Sequence, residues 1–396
     1  MEVPQDIAFE IFSWLPAKSI CKFTSTCTSI YNFSKETFFK TKQARNLLGA
    51  DDSCFFIQPD QVSQRYEKRV ELLSLPMEQP SSGVPYDALT FLSNSASVLA
   101  SSNGLLLCHT IDSIELFICN PITKSCLFIP TPESLQKSRN FCSINLMLDC
   151  SHGSADDYYV FLLETTLDWW PTCYTCNVYH GKEGVWKTME HNFYTGERAM
   201  EFDMPVFHRG ALHFISDSTP YIVKSSSFYK PYIMSYNLEN GNSEMLKLPK
   251  EAIKDCHDCN MGIFNWGKVS SSNQSICLVK LKKFAFTVWC LRDYKSGTWQ
   301  KVLKKRVKAL GLKEKYPHVT GFMVMNGHLL VFATEENVYS CDLGDEKCMM
   351  VEEVGQHNCG LHPRFIPYSG TLRSCGTNAN SRALRSCGTN ARDMHC

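Results

Sequence analysis

Ser101-Ser102-Asn103-Gly104-Leu105-Leu106-Leu107-Cys108, then Leu116-Phe117-Ile118-Cys119-Asn120-Pro121-Ile122-Thr123-Lys124 and a closing Ile129-Pro130, is the stretch on which the fold of this sequence turns. Asn-Gly between two apolar runs marks a tight hairpin, because glycine takes the positive φ such a turn requires. The second run is a hydrophobic strand, a polar turn and a further strand ending in proline. Together they read as one small antiparallel unit.

The unit recurs in degenerate form. Met234-Ser235-Tyr236-Asn237-Leu238-Glu239-Asn240-Gly241 leads to Leu248-Pro249, Val178-Tyr179-His180-Gly181-Lys182 precedes Trp186, and Val288 to Tyr294 precedes Trp299. Val338 to Gly344 is a weaker copy, and Arg209-Gly210 and Asn326-Gly327 repeat the upstream hairpin of Asn103-Gly104. Equivalent hairpins lie roughly 50 to 60 residues apart, the spacing of a four-stranded propeller blade with generous loops. With strands around Cys54–Ile57 and Val70–Pro76, about six such units fit before Tyr368. The expected architecture is a closed β-propeller. A sandwich of two sheets, which needs no such period, is the second.

Upstream the character is different. Val3-Pro4-Gln5-Asp6-Ile7-Ala8-Phe9-Glu10-Ile11-Phe12-Ser13-Trp14-Leu15-Pro16 sets two prolines around a short helix with apolar residues at Ile7, Ile11 and Leu15. A second helical series follows at Ile20, Phe23 and Cys27, and a third segment carries Ile30, Tyr31 and Phe33. A unit of about 40 residues rarely buries so much apolar surface by itself. The greasy face needs a partner, either another protein or the rest of the chain.

The order Val3-Pro4, Asp6-Ile7, Glu10-Ile11, Leu15-Pro16, Ser19-Ile20, Lys22-Phe23 and Cys27 resembles an F-box. It departs from the usual pattern at Val3, Phe12, Thr26, Thr28 and Ile30, the last two replacing a basic residue and a tryptophan. Asn103-Gly104 through Cys108, Ile118 through Lys124, and Pro205-Val206-Phe207-His208-Arg209-Gly210-Ala211-Leu212-His213-Phe214 resemble the F-box-associated domain of plant F-box proteins. The resemblance implies a three-helix F-box at residues 1–46, a β domain at 47–368, and a receptor that docks on the Skp adaptor of a cullin-RING ubiquitin ligase. It assigns adaptor contact to Pro4, Ile7, Ile11, Leu15, Pro16, Ile20 and Phe23. The β domain would hold an unidentified substrate protein. The alternatives are a propeller scaffold whose degenerate F-box recruits no ligase and, behind it, a propeller enzyme.

Composition narrows the partners. Forty basic and forty acidic residues in 396 give no formal net charge, so neither nucleic acid nor membrane is expected as a partner. No apolar run approaches a membrane span and no N-terminal leader pattern is visible, so the expected location is intracellular, in cytoplasm or nucleus. Twenty cysteines in such a chain read as reduced, buried fillers. Cys173/Cys176 and Cys256/Cys259 have metal-pair spacing, but a structural zinc site needs both pairs at one tetrahedron and their flanks are unrelated. No metal or cofactor is expected.

Nucleophile-elbow, zincin, Walker and dinucleotide patterns are missing, and His208 and His213 read as core or edge histidines, so no catalytic residue is expected. Candidate recognition loops are Thr165 to Pro171, with its adjacent tryptophans, and Lys224 to Lys230. The basic cluster Lys301, Lys304, Lys305, Arg306 and Lys308 suits a nuclear-import signal or a patch for an acidic partner, but Val302, Leu303, Val307 and Leu310 are threaded through it, and that favours a surface element with one buried face. Residues 369–396 contain Leu372-Arg373-Ser374-Cys375-Gly376-Thr377-Asn378-Ala379 and repeat it at Leu384–Ala391. This polar tail is expected to be disordered.

Overall fold

The computed structural model describes residues 4–59, 70–76, 83–111, 115–133, 135, 145–150, 157–165, 172–219, 224–254, 259–267, 274–344, 351–376 and 381–383. Helices come first: α1 (Gln5–Phe12), α2 (Ala17–Phe23), α3 (Thr28–Lys35) and α4 (Thr37–Asn46). Pro4 and Pro16 cap α1 and α2, at positions where the missing N–H leaves no helical bond unmade. The sequence pattern predicts three helices and the structure has four. α4 shows no helical stripe, because its large apolar residues are the adjacent Phe38 and Phe39, yet Phe39 is fully buried against Phe9 and Phe33.

The core of this module is Ala17, Ile20, Ile30 and Phe39, with Phe9, Phe12, Leu15 and Phe33 packed partly against it. Two further core members come from outside: Ile122, from the Asn-Pro turn quoted above, and Leu372, near the end of the chain. The helical module is thus completed by the β domain and the C-terminal segment.

Six antiparallel sheets account for the β domain, a six-bladed β-propeller. The closing sheet joins β1 (Cys54–Pro59) and β2 (Glu71–Ser74) to β24 (Pro363–Tyr368), with Cys54 opposite Tyr368, so the first and last strands of the domain share a blade. Helix α5 (Tyr86–Ser95), which carries no clear signal in the sequence, buries Ala88 and Leu92 in the same core as Phe56 and Tyr368. Next come β3 (Ala96–Ser102), β4 (Leu105–Thr110), β5 (Leu116–Asn120) and β6 (Ser125–Ile129), then β7 (Leu146–Asp149), β8 (Tyr159–Glu164), β9 (Cys173–His180) and β10 (Val185–Thr188), with β11 (Phe193–Tyr194) on β9. The remaining blades are β12 (Met200–His208), β13 (Ala211–Ser216), β14 (Tyr232–Asn237) and β15 (Ser243–Lys247); β16 (Asn260–Trp266), β17 (Ser275–Lys282), β18 (Ala285–Asp293) and β19 (Thr298–Arg306); and β20 (Gly321–Met325), β21 (Leu329–Ala333), β22 (Asn337–Asp342) and β23 (Val351–Gln356).

The recurring sequence signals map onto equivalent places. Asn103-Gly104, Arg209-Gly210 and Asn326-Gly327 are each a pair of left-handed residues joining the first two strands of a blade. Trp186 donates its ring N–H to the Pro130 carbonyl at 2.7 Å, and Trp299 donates to the Lys247 carbonyl at 2.9 Å. Each such tryptophan ties the outer strand of one blade to the end of the outer strand before it, next to the Ile-Pro or Leu-Pro that the repeat displays. The outer strands β10, β15 and β19 are mostly exposed and β23 is half-buried, whereas β4, β5 and β13 are almost wholly buried. The basic cluster at 301–306 therefore lies on an edge strand with Leu303 turned inward, and charge there blocks strand addition.

By internal packing the chain forms two compact units: Met1–Phe161 with Tyr179–Trp186 and His357–Cys396, and Leu162–Val178 with Lys187–Gln356. In the first, residues 370–376 depart from the disordered tail expected from 369. Thr371, Leu372, Arg373 and Cys375 are buried, because the first copy of the octamer supplies apolar side chains to the helical core and to the β3–β6 blade. Ser381–Ala383 forms a further strand, β25, on β6. The second copy, 384–391, lies outside the described residues.

Fourteen described cysteines are free thiols and most are buried. Burial pushes Cys150 up to about 11 and Cys176 to about 12, so they stay uncharged and act as small apolar fillers. Cys126 is an exception to the reduced set, being disulfide-bonded.

Candidate adaptor-docking site

α1 is apolar on two faces. Phe9 and Phe12 turn toward the module core, while Ile7, Ile11 and Trp14, spaced four and three residues apart, form a stripe that is 52%, 54% and 57% exposed. No residue of α1 is fully buried. Glu10 borders the stripe, accepting from the Trp14 ring N–H at 3.4 Å and pairing with Lys42. The Lys42 hydrogen bond holds the Glu10 carboxyl below the usual carboxylate range, so an ion pair rims the apolar strip.

Of the residues singled out in the sequence, Pro4, Ile7, Ile11, Pro16 and Phe23 are exposed. Leu15 is half-buried against the core and Ile20 is wholly inside it, beside Ile30 and Phe39. Ile30, which stands where an F-box usually has tryptophan, is likewise core. Three exposed apolar residues were not among the expected contacts: Trp14, Tyr31 and Phe38. Trp14 was within reach of the pattern, since it falls seven residues after Ile7.

Beneath the stripe the module is fastened to the β domain. Gln43 donates to the Leu15 carbonyl at 3.1 Å and accepts from the Leu372 N–H at 2.9 Å. The Ala17 N–H donates to the Gly370 carbonyl, and Asn103 donates to the Ala44 carbonyl at 3.0 Å. Asn120 of the Asn-Pro turn accepts from the Ile122 and Thr123 N–H groups and donates to the Thr371 and Arg373 carbonyls at 2.9 and 2.8 Å. Gly104 admits this strap: a Cβ there would stand 2.2 Å from the Thr371 hydroxyl oxygen. The turn residues thus do two jobs, closing hairpins and gripping the strap that carries the helices.

A family model described as F-box associated beta propeller domain matches residues 65–369, and one described as F-box domain matches residues 1–42. The chain belongs to the F-box-associated β-propeller family. An F-box protein of Arabidopsis thaliana is 21% identical over 309 residues, covering 76% of this chain and 77% of that protein. A second Arabidopsis F-box protein is 24% identical over 140 residues, 34% of this chain and 32% of that one. Among solved structures, an acylaminoacyl peptidase of Pyrococcus horikoshii aligns at TM-score 0.38 and 12% identity over 77% of this chain and 44% of that chain. A periplasmic gluconolactonase of Pseudomonas aeruginosa aligns at TM-score 0.37 and 10% identity, over 79% of this chain and 99% of that one. Likenesses of this size carry nothing about activity.

Family membership directs attention to the F-box face rather than to chemistry inside the propeller. His213 is fully buried, with Nδ1 against the Val206 carbonyl at 3.2 Å and Nε2 against the Tyr294 hydroxyl at 2.7 Å. Burial pulls it down to about 4, so it is a neutral, satisfied core histidine. Cys173 and Cys176 sit three apart on strand β9, which turns them to opposite faces. Cys256 to Asp258 lie outside the described residues, and among those described no cluster of His, Cys, Asp or Glu has metal-site form. Of the two candidate recognition loops, 166–171 is outside the described residues, and in the other Phe228 packs on Tyr232 and Tyr194. No helix among the described residues is long and apolar enough to cross a membrane.

Proposed function

We propose that this chain is the substrate-recognition subunit of a Skp-cullin-F-box ubiquitin ligase, working inside the cell, with the F-box docking on the Skp adaptor and the propeller holding a target protein. The observation that carries this reading is the Ile7, Ile11 and Trp14 stripe, left exposed on α1 while Phe9 and Phe12 of the same helix pack toward the module core. Contiguous apolar surface of this kind marks a protein interface. The chain contributes proximity rather than catalysis: a target held on the propeller is presented at high effective concentration to the ubiquitin-transferring subunits. The strap supports this role, because helices bonded to the β domain fix the adaptor face against the β3–β6 blade.

Ile11 separates docking from folding better than Leu15, which is partly core. Co-purification of the full chain with the Skp adaptor is expected to give a stoichiometric complex. Ile11→Asp is expected to weaken it by about a hundredfold or more at an unchanged thermal midpoint. Full binding by Ile11→Asp would overturn the docking face. No complex with the parent chain would leave a propeller scaffold with a non-recruiting F-box.

A further inference from the structure

In the β16–β19 blade, the hairpin between β17 and β18 is made by Lys283 and Phe284, both left-handed at φ 48° and 58°. Asn103-Gly104, Arg209-Gly210 and Asn326-Gly327 use glycine at the second place of the same kind of turn, and a bulky aromatic there is a strained choice. The strained residue is held in place. Its carbonyl accepts from the Val307 N–H at 2.8 Å, and Val307 is fully buried. The Phe284 ring, 56% exposed, stands edge-on to His318 at 6.5 Å.

Phe284 and His318 rim a cleft of about 160 Å³ that Leu281, Val319 and Asn260 also line. A space of about 150 Å³ admits one benzene-sized group. Beside it Tyr316 is 74% exposed, with Lys308 and Lys315 at 5.7 and 5.5 Å from its ring centre. Lys283 and Arg306 are exposed as well. Among the described residues, Glu353 pairs with Lys313, and Glu314 is turned to Thr334, Asn337 and Tyr339, from which it accepts at 2.6 to 2.9 Å. The surface therefore offers an apolar socket with the exposed cations Lys283, Arg306, Lys308 and Lys315 near it.

We propose that this surface binds an acidic linear peptide, one apolar side chain entering the cleft against Phe284 and flanking carboxylates meeting Lys283, Arg306, Lys308 and Lys315. The proposal deepens the receptor reading by giving the propeller a class of target, and rests on it only there; adaptor docking is a separate matter. The strain at Phe284 then has a use, since this left-handed turn carries the ring at the rim.

The test uses the full chain and a short fluorescent peptide with one central leucine among aspartates and glutamates, read by anisotropy at two salt concentrations. Saturable binding is expected, weakened by salt and not shown by the same peptide with lysines for its acids. Phe284→Gly is expected to lose about tenfold or more in affinity while its thermal midpoint holds or rises, because glycine relieves the turn. Lys308→Glu with Lys315→Glu is expected to lose a similar factor. Equal binding of acidic and basic peptides, or undiminished binding by Phe284→Gly, would overturn the proposal, as would tighter binding of a single-stranded oligonucleotide. Skp-adaptor binding by the same Phe284→Gly sample is expected to match the parent's, so failure of the peptide site and failure of adaptor recruitment show up separately.

Discussion

α1 and β13 are both largely apolar, and they place those residues oppositely. Every residue of β13 is buried, whereas none of α1 is. β13 has neighbouring strands on both sides, and Ile215 shares a core with the β16–β19 blade, as an inner strand of a repeated fold does. α1 has a core on one side and solvent on the other, so Ile7, Ile11 and Trp14 keep more than half of their surface in water. Apolar residues kept at helical spacing without an internal partner point to an external one.

The sharpest way to break this comparison is on α2. Ile20→Asp places an unpaired charge in the helical core and is expected to cost about 4 kcal/mol or more, opening α1 to α4 to amide hydrogen exchange while the sheets stay protected. If residues 17–46 exchanged as in the parent, the division between core and docking residues would be wrong. A smaller effect is expected at the strap. Gln43→Leu strands the Leu15 carbonyl and the Leu372 N–H, at about 2 to 3 kcal/mol, and should expose the same helices to limited proteolysis without touching the Ile11 stripe.

The smallest effect belongs to β13. His213 is held near 4 against an ordinary 6.5, so between those values the unfolded chain binds the proton and the folded chain does not. Stability must fall as the pH drops through this window, by about 2 kcal/mol between pH 7 and pH 5. His213→Gln should lose that slope in urea unfolding at the two pH values. A parent and variant with equal slopes would show the histidine is not buried neutral.

The hairpins were legible because their cause is local: Asn-Gly or Arg-Gly between apolar runs admits few backbone choices. Lys283-Phe284 carries no such signature, and its turn is imposed by the bond to Val307 from an adjacent strand's end. α4 was invisible for a related reason, since Phe39 counts as core only once Phe9 and Phe33 surround it. In the helical module, the sequence placed Ile7 and Ile11 on a helix but set Ile20 with Phe23 among the contact residues, whereas Ile20 is core. Ile122 and Leu372 decide that, one from a β-turn and one from the far end of the chain.

The position of Leu372 also orders events during synthesis. The helical module leaves the ribosome before the β domain, yet its core waits for Leu372 and its bond from Gln43, and β1 waits for β24, both made after the other blades. Contacts so distant along the chain form late. A nascent chain thus carries an unfinished helical module, whose core is complete only once Ile122 and Leu372 have been made.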